Sequence, residues 1–256
     1  MAESFRIISS IVRQYYPMFL RGAGVTMLIA IIGTVAGLTI GLAVGTIRAI
    51  PLDSPHGRGG LRRWVLRIVR FFFTFYVELF RGTPMIVQAV FIYYGLTTLF
   101  GIQTRPIPCG IMIVSINTGA YMAEIVRGGI ESIDPGQTEA AHAIGMTHWQ
   151  TMANVILPQT IRNILPATGN EFVINIKDTS VLNIISVTEL FFQSRSVLGI
   201  LYKNFEVYTV TIVIYFVLTF TTTRILRALE KRMDGPRDFT LATSSTMPES
   251  IIRRPK

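Results

Sequence analysis

Long apolar segments alternate with short polar ones along most of the chain. From residue 22 to residue 47 there are 26 consecutive residues without a charge, more than the roughly 20 that a helix needs to cross a bilayer. A soluble helix of this length would carry a polar face, and this segment has none. The pattern predicts a membrane-spanning helix over about residues 24–47.

Four further segments fit the same description less completely. We predict an all-α integral membrane protein of about five transmembrane helices, the remaining four at about residues 76–100, 106–126, 162–186 and 206–226. Gly101, with two prolines after it, favours a tight reversal between the second and third spans. The fourth span is the most polar, because it contains Glu171, Lys177 and Asp178.

Cationic residues are unevenly distributed between these spans. The net charge is +9 and the pI is about 10.0, and most Lys and Arg lie in residues 48–75, residues 127–161 and the tail from residue 224. Five spans put all three segments on one side, which the positive-inside rule assigns to the cytoplasm. This topology accounts for the basic pI without nucleic-acid binding. The predicted divisions are an extracytoplasmic N-terminal segment (1–23), a transmembrane domain (24–230) and a mobile cytoplasmic tail (231–256).

The sequence offers no constellation for catalysis or metal binding. Cys109 is the single cysteine, so no intrachain disulfide can form. His142 and His148 are six residues apart, which does not put two ligands on one helical face. The Walker A pattern, G-x-x-x-x-G-K-[ST], is also absent. We expect no catalytic residue, no bound metal or cofactor and no nucleotide site in this chain.

Residues 130–158 are too polar for a span and too structured for a passive loop. Pro135 and Gly136 break the chain, and an alanine-rich helix can begin near Thr138. Its side chains are small, so another protein could approach its backbone closely. Gly145 then permits a turn that a residue with a Cβ atom would resist.

A second short helix is predicted after this turn. Trp149, Met152, Val155 and Ile156 have the spacing of an apolar stripe, and Pro158 marks a joint where the chain re-enters the membrane. Two short helices at an angle would make a rigid lever. An energy-coupling protein needs such a lever if it is to move membrane helices from the cytoplasm.

Four stretches of the sequence together resemble one family. The loop reads Glu-Ala-Ala from residue 139, then Gly145 after three residues, then Val-Ile-Leu-Pro from residue 155 after nine more. This resembles the EAA, Gly, IxLP signature of bacterial ABC importer permeases, from which only Val155 departs. The stretches ELFRGTP from residue 78, NTGAYMAE from residue 117 and KDTS from residue 177 resemble the polar amino acid branch of that family.

The resemblance implies a type I ABC importer permease fold and a subunit that imports a polar amino acid by alternating access across the bacterial inner membrane. The implied partners are a second permease subunit, a cytoplasmic ATPase dimer that binds ATP and Mg²⁺, and an extracytoplasmic solute-binding protein. An ion-coupled secondary amino acid transporter is the alternative, because the fourth span carries charges at membrane depth. The residues implied in ATPase coupling are Glu139, Ala140, Ala141, His142, Ala143, Gly145, Leu157 and Pro158.

The fourth span supplies the candidate substrate path. Glu171, Asn175 and Asp178 fall at i, i+4 and i+7, so they share one face of a helix. Ionisable groups at membrane depth tend to face an aqueous cavity, and we add Ser180 from the KDTS stretch. The alternative is that Lys177 and Asp178 pair and only hold the bundle together.

The ELFRGTP stretch supplies a candidate structural motif. Glu78 and Arg81 could pair at i, i+3 on a helix, and we favour structural locking over substrate contact there. Gly82, Thr83 and Pro84 complete the motif.

Overall fold

The structure is a computed structural model in which residues 2–50 and 60–233 are described. Within these two ranges every regular element is helical, which confirms the predicted all-α fold. The α-helices in chain order are α1 (Ala2–Ala49), α2 (Gly60–Gly82), α3 (Met85–Phe100), α4 (Pro106–Glu131), α5 (Pro135–Ala143), α6 (His148–Thr151), α7 (Leu157–Asp178), α8 (Leu190–Leu201) and α9 (Asn204–Met233). A π-helical turn (Met152–Ile156) joins α6 to α7, and a 3₁₀ helix (Thr179–Ile185) follows α7.

Three of these helices, α1, α4 and α9, are each long and apolar enough to cross a membrane. Two bent pairs pass the same test together: α2 with α3, bent by 115°, and the segment from α6 through the 3₁₀ helix with α8, bent by 54°. The described residues therefore provide up to five spans if each bent pair counts as one. The predicted number of five holds on that condition.

The second predicted span, residues 76–100, is corrected by the structure because it is two helices. α2 ends at Gly82, and Pro84 is extended, with φ −65° and ψ 136°. Proline disfavours a helical conformation for the residue before it, so the chain leaves the helix at Thr83. We call residues 82–85 the elbow. The sequence contained this break in its Gly-Thr-Pro motif, but hydropathy averaged across it.

The fourth predicted span, residues 162–186, also has different bounds. Its α-helix begins at Leu157 and ends at Asp178, and the chain continues as the 3₁₀ helix before α8. Pro158, the predicted joint where the chain re-enters the membrane, lies in the first turn of α7 directly after the π-helical turn. A first-turn proline lacks an N–H that would be unpaired there in any case.

The N-terminal segment and the first span form one helix. The segment 1–23, which we predict to be extracytoplasmic, continues helically into the first span as α1 from Ala2. At 1.5 Å per residue, 48 residues extend about 72 Å, so α1 reaches well beyond a hydrocarbon core of about 30 Å. The connector 51–59 and the tail from residue 234 lie outside the described residues.

A stripe of four glycines lets α1 pack closely along α4. Gly33, Gly37, Gly41 and Gly45 recur every fourth residue, so they lie on one face of the helix. A Cβ atom on Gly33 would stand 2.5 Å from Cγ1 of Val114, and one on Gly41 would overlap Met122. Small residues at this spacing allow helix backbones in membranes to approach each other. The stripe was not predicted from the sequence, although the spacing of its glycines is readable there.

The first half of α1 is anchored by a separate apolar cluster. Ile11 and Phe19 pack with Leu190 and Val197 of α8 and with Val207 and Val210 of α9. Glu189 precedes α8 and is fully buried; its carboxylate accepts hydrogen bonds from the N–H groups of Phe191 (2.8 Å) and Phe192 (2.7 Å). It also accepts one from the hydroxyl of Tyr215 at 2.9 Å. This N-cap joins α8 to α9 and was not anticipated from the sequence.

Candidate functional site

The predicted loop folds into a helix that is capped at both ends. At the start of α5, Asp134 Oδ1 accepts a hydrogen bond from the N–H of Gly136 at 2.8 Å. At its end, the N–H of Met146 donates to the Ala141 carbonyl and that of Gly145 to the His142 carbonyl, both at 3.0 Å. This is a Schellman motif, and Gly145 has the positive φ of +85° that the motif requires.

A capping box starts the next helix. The Thr147 hydroxyl accepts a hydrogen bond from the N–H of Gln150 (3.3 Å), and Gln150 Oε1 accepts one from the N–H of Thr147 (2.8 Å). These reciprocal bonds hold the start of α6 close behind α5. The predicted order of helix, glycine turn and helix is therefore present, but the second helix continues through the π-helical turn into α7.

The residues predicted to couple to an ATPase divide into two groups. Glu139, Ala140, His142, Ala143 and Gly145 are exposed around the end of α5, and Ala141 is buried. Leu157 and Pro158 instead begin α7, on the far side of the π-helical turn.

The tip of the loop exposes large apolar side chains beside small ones. Ile144 is 79% exposed and Trp149 is 71% exposed, next to the exposed Ala140 and Ala143. We call these four residues the loop-tip surface. The predicted apolar stripe is thereby split, because Met152 and Ile156 of the same stripe are buried.

Asn175 lies inside the bundle and not on an open path. It is 3% exposed, and its Nδ2 donates to the hydroxyls of Thr34 (2.8 Å) on α1 and Thr118 (3.0 Å) on α4. Its Oδ1 lies 3.1 Å from the Thr118 hydroxyl, which can donate to it. Because both ends of the amide are occupied, this side chain joins three helices.

Glu171 occupies the same side of α7 but is not bonded in this way. It is 8% exposed, and within residues 2–50 and 60–233 no Lys or Arg forms an ion pair with it. Asp178 is half-buried at the end of α7. The alternative pairing of Lys177 with Asp178 is not found among the ion pairs of the described residues.

Ser180 is directed away from these residues, into a cavity that it shares with Lys177. The cavity has a volume of about 310 Å³ and is also lined by Phe191 of α8 and by Tyr208 and Tyr215 of α9. Lys177 also lines a second cavity of about 350 Å³, together with Arg224 and Arg227. The structure thus separates the four candidate path residues: Glu171 and Asn175 are buried, Asp178 is half-buried, and Ser180 lines the first cavity.

The side chain of Gln88 forms hydrogen bonds with open backbone carbonyl groups at the elbow. Its Nε2 donates to the carbonyl oxygens of Phe80 (2.8 Å) and Thr83 (2.9 Å) and to the Thr83 hydroxyl (2.9 Å). Its Oε1 accepts a hydrogen bond from Asn117 Nδ2 of α4 at 2.8 Å. The break at Pro84 leaves carbonyl groups at the end of α2 without helical partners, and this side chain satisfies those of Phe80 and Thr83.

Arg81 does not pair with Glu78 as predicted. Its guanidinium stands 3.9 Å from Glu124 Oε2 and 5.6 Å from the centre of the Tyr121 ring. Glu124 also binds Arg48 of α1 at 2.8 Å and Arg127 of α4 at 3.0 Å. We call Glu124 and its three arginines the arginine cluster; it ties the ends of α1, α2 and α4 together.

Two of the resembling stretches are therefore in direct contact. Arg81, in ELFRGTP at the end of α2, lies 3.9 Å from Glu124, in NTGAYMAE of α4. Gln88 of α3 lies outside both stretches but links them, because it binds the carbonyls of Phe80 and Thr83 and also Asn117. The Arg81–Glu124 and Gln88–Asn117 contacts each join residues more than 25 positions apart in the chain. Sequence spacing could not have paired them.

Comparisons with known proteins agree with this arrangement. Residues 60–235 match the model of the binding-protein-dependent transport system inner membrane component family. The chain is 37% identical over 218 residues to the glutamine transport system permease protein GlnP of Escherichia coli K12, covering 85% of this chain and 93% of that protein. It is 30% identical over 217 residues to the arginine transport system permease protein ArtQ of Bacillus subtilis 168, with the same coverages.

Solved structures give the same result. A crystal structure of an amino acid ABC transporter with histidines superposes with a TM-score of 0.76 at 35% identity, over 88% of this chain and 98% of the other. The MetNI methionine ABC transporter in an inward-facing conformation shares the fold, with a TM-score of 0.64 at 20% identity over 83% of this chain and 96% of that chain. The alternative of a secondary transporter is thereby excluded. The chain belongs to the binding-protein-dependent transport system inner membrane component family and is a permease subunit of an amino acid ABC importer.

Proposed function

We propose that this permease moves a polar amino acid into the cytoplasm by alternating access, driven by a separate ATPase dimer that docks on the loop-tip surface. The observation that carries the proposal is the exposure of Ile144 and Trp149 on a loop in which both ends of α5 and the start of α6 are capped. Large apolar side chains exposed on a rigid support are typical of a protein interface. The small side chains of Ala140 and Ala143 leave room for a partner to approach the α5 backbone.

The proposed topology places the N-terminus outside and the C-terminus in the cytoplasm. Arg48, Arg81 and Arg127 meet at one end of the bundle, and Arg224 and Arg227 occur in the second half of α9. The positive-inside rule supports assigning that end to the cytoplasm, here across a bacterial inner membrane. ATP and Mg²⁺ would bind in the ATPase. A second permease subunit and an extracytoplasmic solute-binding protein would complete the importer.

Lys177 and Ser180 extend the proposed substrate path. They line the cavity between α7, α8 and α9, where an ammonium group and hydroxyls could meet the carboxylate of an amino acid. Glu171 stays a candidate for contact with an amino group, because it has no ion-pair partner among the described residues. Asp178, at the end of α7, is a second candidate for contact with the amino group.

Replacing Ile144 with Asn tests the docking surface. The variant should keep its fold, because the side chain is exposed, and it should lose ATPase binding and uptake because the interface loses its apolar centre. The measurements are copurification of the ATPase and ATP-dependent uptake of labelled amino acid into proteoliposomes. Ile102→Asn is the matched control, since Ile102 is 50% exposed in the α3–α4 connection. Normal uptake by Ile144→Asn, or uptake that persists without ATP, would contradict the proposal.

A further inference from the structure

We infer that α2 is an interfacial helix that binds anionic phospholipid of the cytoplasmic leaflet, and that this contact seats the elbow. The inference rests on the topology proposed above for the side assignment. It concerns a surface that the docking of the ATPase does not use.

The outer face of α2 carries a row of large apolar side chains. Trp64 is 59% exposed, Phe71 67% and Phe75 57%, and Leu79 continues the row. Their spacing places them on one side of the helix, opposite Phe73 and Val77, which pack toward α1 and α4. Among the described elements, α2 packs on α1 and α4, so this row has no partner there.

Arginines lie along one edge of the same row. Arg63 and Arg67 are exposed, and neither forms an ion pair with any described residue. Arg70, one turn further on, donates to the backbone carbonyl of Arg48. In α2 the first acidic residue is Glu78, so no carboxylate offsets the charge over the first four turns.

The position of α2 puts this face at the edge of the bilayer. The hydrogen bond from Arg70 to the Arg48 carbonyl holds the middle of α2 beside the end of the long α1 helix. The 115° bend at the elbow turns α2 away from the direction of α3. An amphipathic helix with arginines beside Trp and Phe, lying where a span ends, is typical of helices in the headgroup region.

Charge favours a lipid over a second copy of the chain on this face. Two copies of α2 packed face to face would bring Arg63 and Arg67 of one copy close to the same arginines of the other, and the first four turns of the helix carry no acidic side chain to offset their charge. The phosphate group of an anionic phospholipid supplies a negative charge, and the acyl chains of the same lipid can contact Trp64 and Phe71. Anionic phospholipid satisfies both halves of the surface at once.

The contact has a consequence for the elbow. α2 leads directly into Arg81, which reaches Glu124, and into the carbonyls capped by Gln88. Holding α2 at the membrane surface therefore restricts the elbow to one arrangement. The rate of uptake should rise as anionic lipid is added, and this stimulation should depend on Arg63 and Arg67.

The test compares lipid binding and uptake in two arginine variants of the full transporter, assembled with its ATPase and binding protein. The variant Arg63→Gln/Arg67→Gln removes the proposed headgroup contacts. The control Arg6→Gln/Arg13→Gln removes two exposed arginines near the other end of α1 that have no described ion pair. Bound phosphatidylglycerol is counted by native mass spectrometry. Uptake is measured in phosphatidylcholine vesicles with and without phosphatidylglycerol.

We expect Arg63→Gln/Arg67→Gln to bind phosphatidylglycerol at least about tenfold more weakly and to lose the stimulation of uptake, while the control keeps both. Equal lipid binding in the two variants would overturn the inference. So would an oxidative crosslink between copies carrying Phe71→Cys in a Cys109→Ala background, because a second copy would then cover the face. If uptake fails in every lipid but lipid binding follows the arginines, the proposed function fails and this inference stands.

Discussion

The side chain of Gln88 stabilises the break between α2 and α3. Its amide nitrogen serves the carbonyls left open where α2 ends, and its amide oxygen holds Asn117 of α4. Asn175 has a similar role deeper in the bundle, between Thr34 and Thr118. In both cases a buried amide is fully used, so it fixes one arrangement of the helices around it.

Replacing Gln88 with Leu should lower the free energy of unfolding by about 2 kcal/mol, because it leaves the carbonyls of Phe80 and Thr83 and the amide of Asn117 without partners. Thermal unfolding of the purified protein measures the loss. Gln103→Leu changes an exposed glutamine in the α3–α4 connection and should be neutral. Equal stability of the two variants would mean that other groups, or water, satisfy the elbow.

Close contact of α1 with α4 depends on the glycine stripe as a unit. Each of the four glycines faces a side chain or carbonyl of α4 at a distance where no Cβ fits. The contact is close because lipid offers little drive for helix association, so packing must supply it. α2 and α7 then pack on this pair at Val77 and Asn175.

The smallest test of the stripe adds one methyl group. Gly41→Ala should destabilise the protein by about 1–3 kcal/mol, since the new Cβ overlaps Met122 and its backbone. Gly24→Ala lies on the same helix with open space around it, so its higher helix propensity should make it neutral or stabilising by up to about 1 kcal/mol. Chemical or thermal unfolding of both variants separates packing from propensity. A stable Gly41→Ala would show that α1 and α4 are less closely packed than described.

Across the molecule, the arginine cluster joins helices that the sequence separates widely. Glu124 holds Arg48 of α1 and Arg81 of α2 as well as Arg127 on its own helix. The cluster lies beside the elbow and at the end of α4 that leads into the proposed coupling loop. A movement of that loop would therefore act on α1 and α2 through one carboxylate.

Glu124→Gln should cost about 2 kcal/mol of unfolding free energy, because the partly buried guanidinium groups of Arg48 and Arg127 and the exposed one of Arg81 lose their shared counter-charge. Glu131→Gln is the matched control: that carboxylate is more exposed and binds only Arg127 among the described residues, so the cost should stay below about 1 kcal/mol. Both are measured by thermal unfolding in the same detergent. A larger effect of Glu131→Gln would contradict the central place given to Glu124.

Local patterns in the sequence determined much of this protein. Three features were predicted where they occur: the uncharged run before Arg48, the turn at Gly145 and the first turn of α4 at Pro106. They were predictable because the free energy of transfer into the bilayer and the capping of helices depend on residues that are close together in the chain. The four resembling stretches identified the permease family from the sequence alone.

Tertiary structure alone decided which polar groups meet. Arg81 had a carboxylate one turn away at Glu78, yet it turns to Glu124, because the bend at the elbow carries the end of α2 to α4. Asn175 and Ser180 were grouped by sequence, but the change to a 3₁₀ helix after Asp178 and the packing of α1 and α4 send them to different places. Such pairings arise from the packing of distant helices, which local periodicity does not encode.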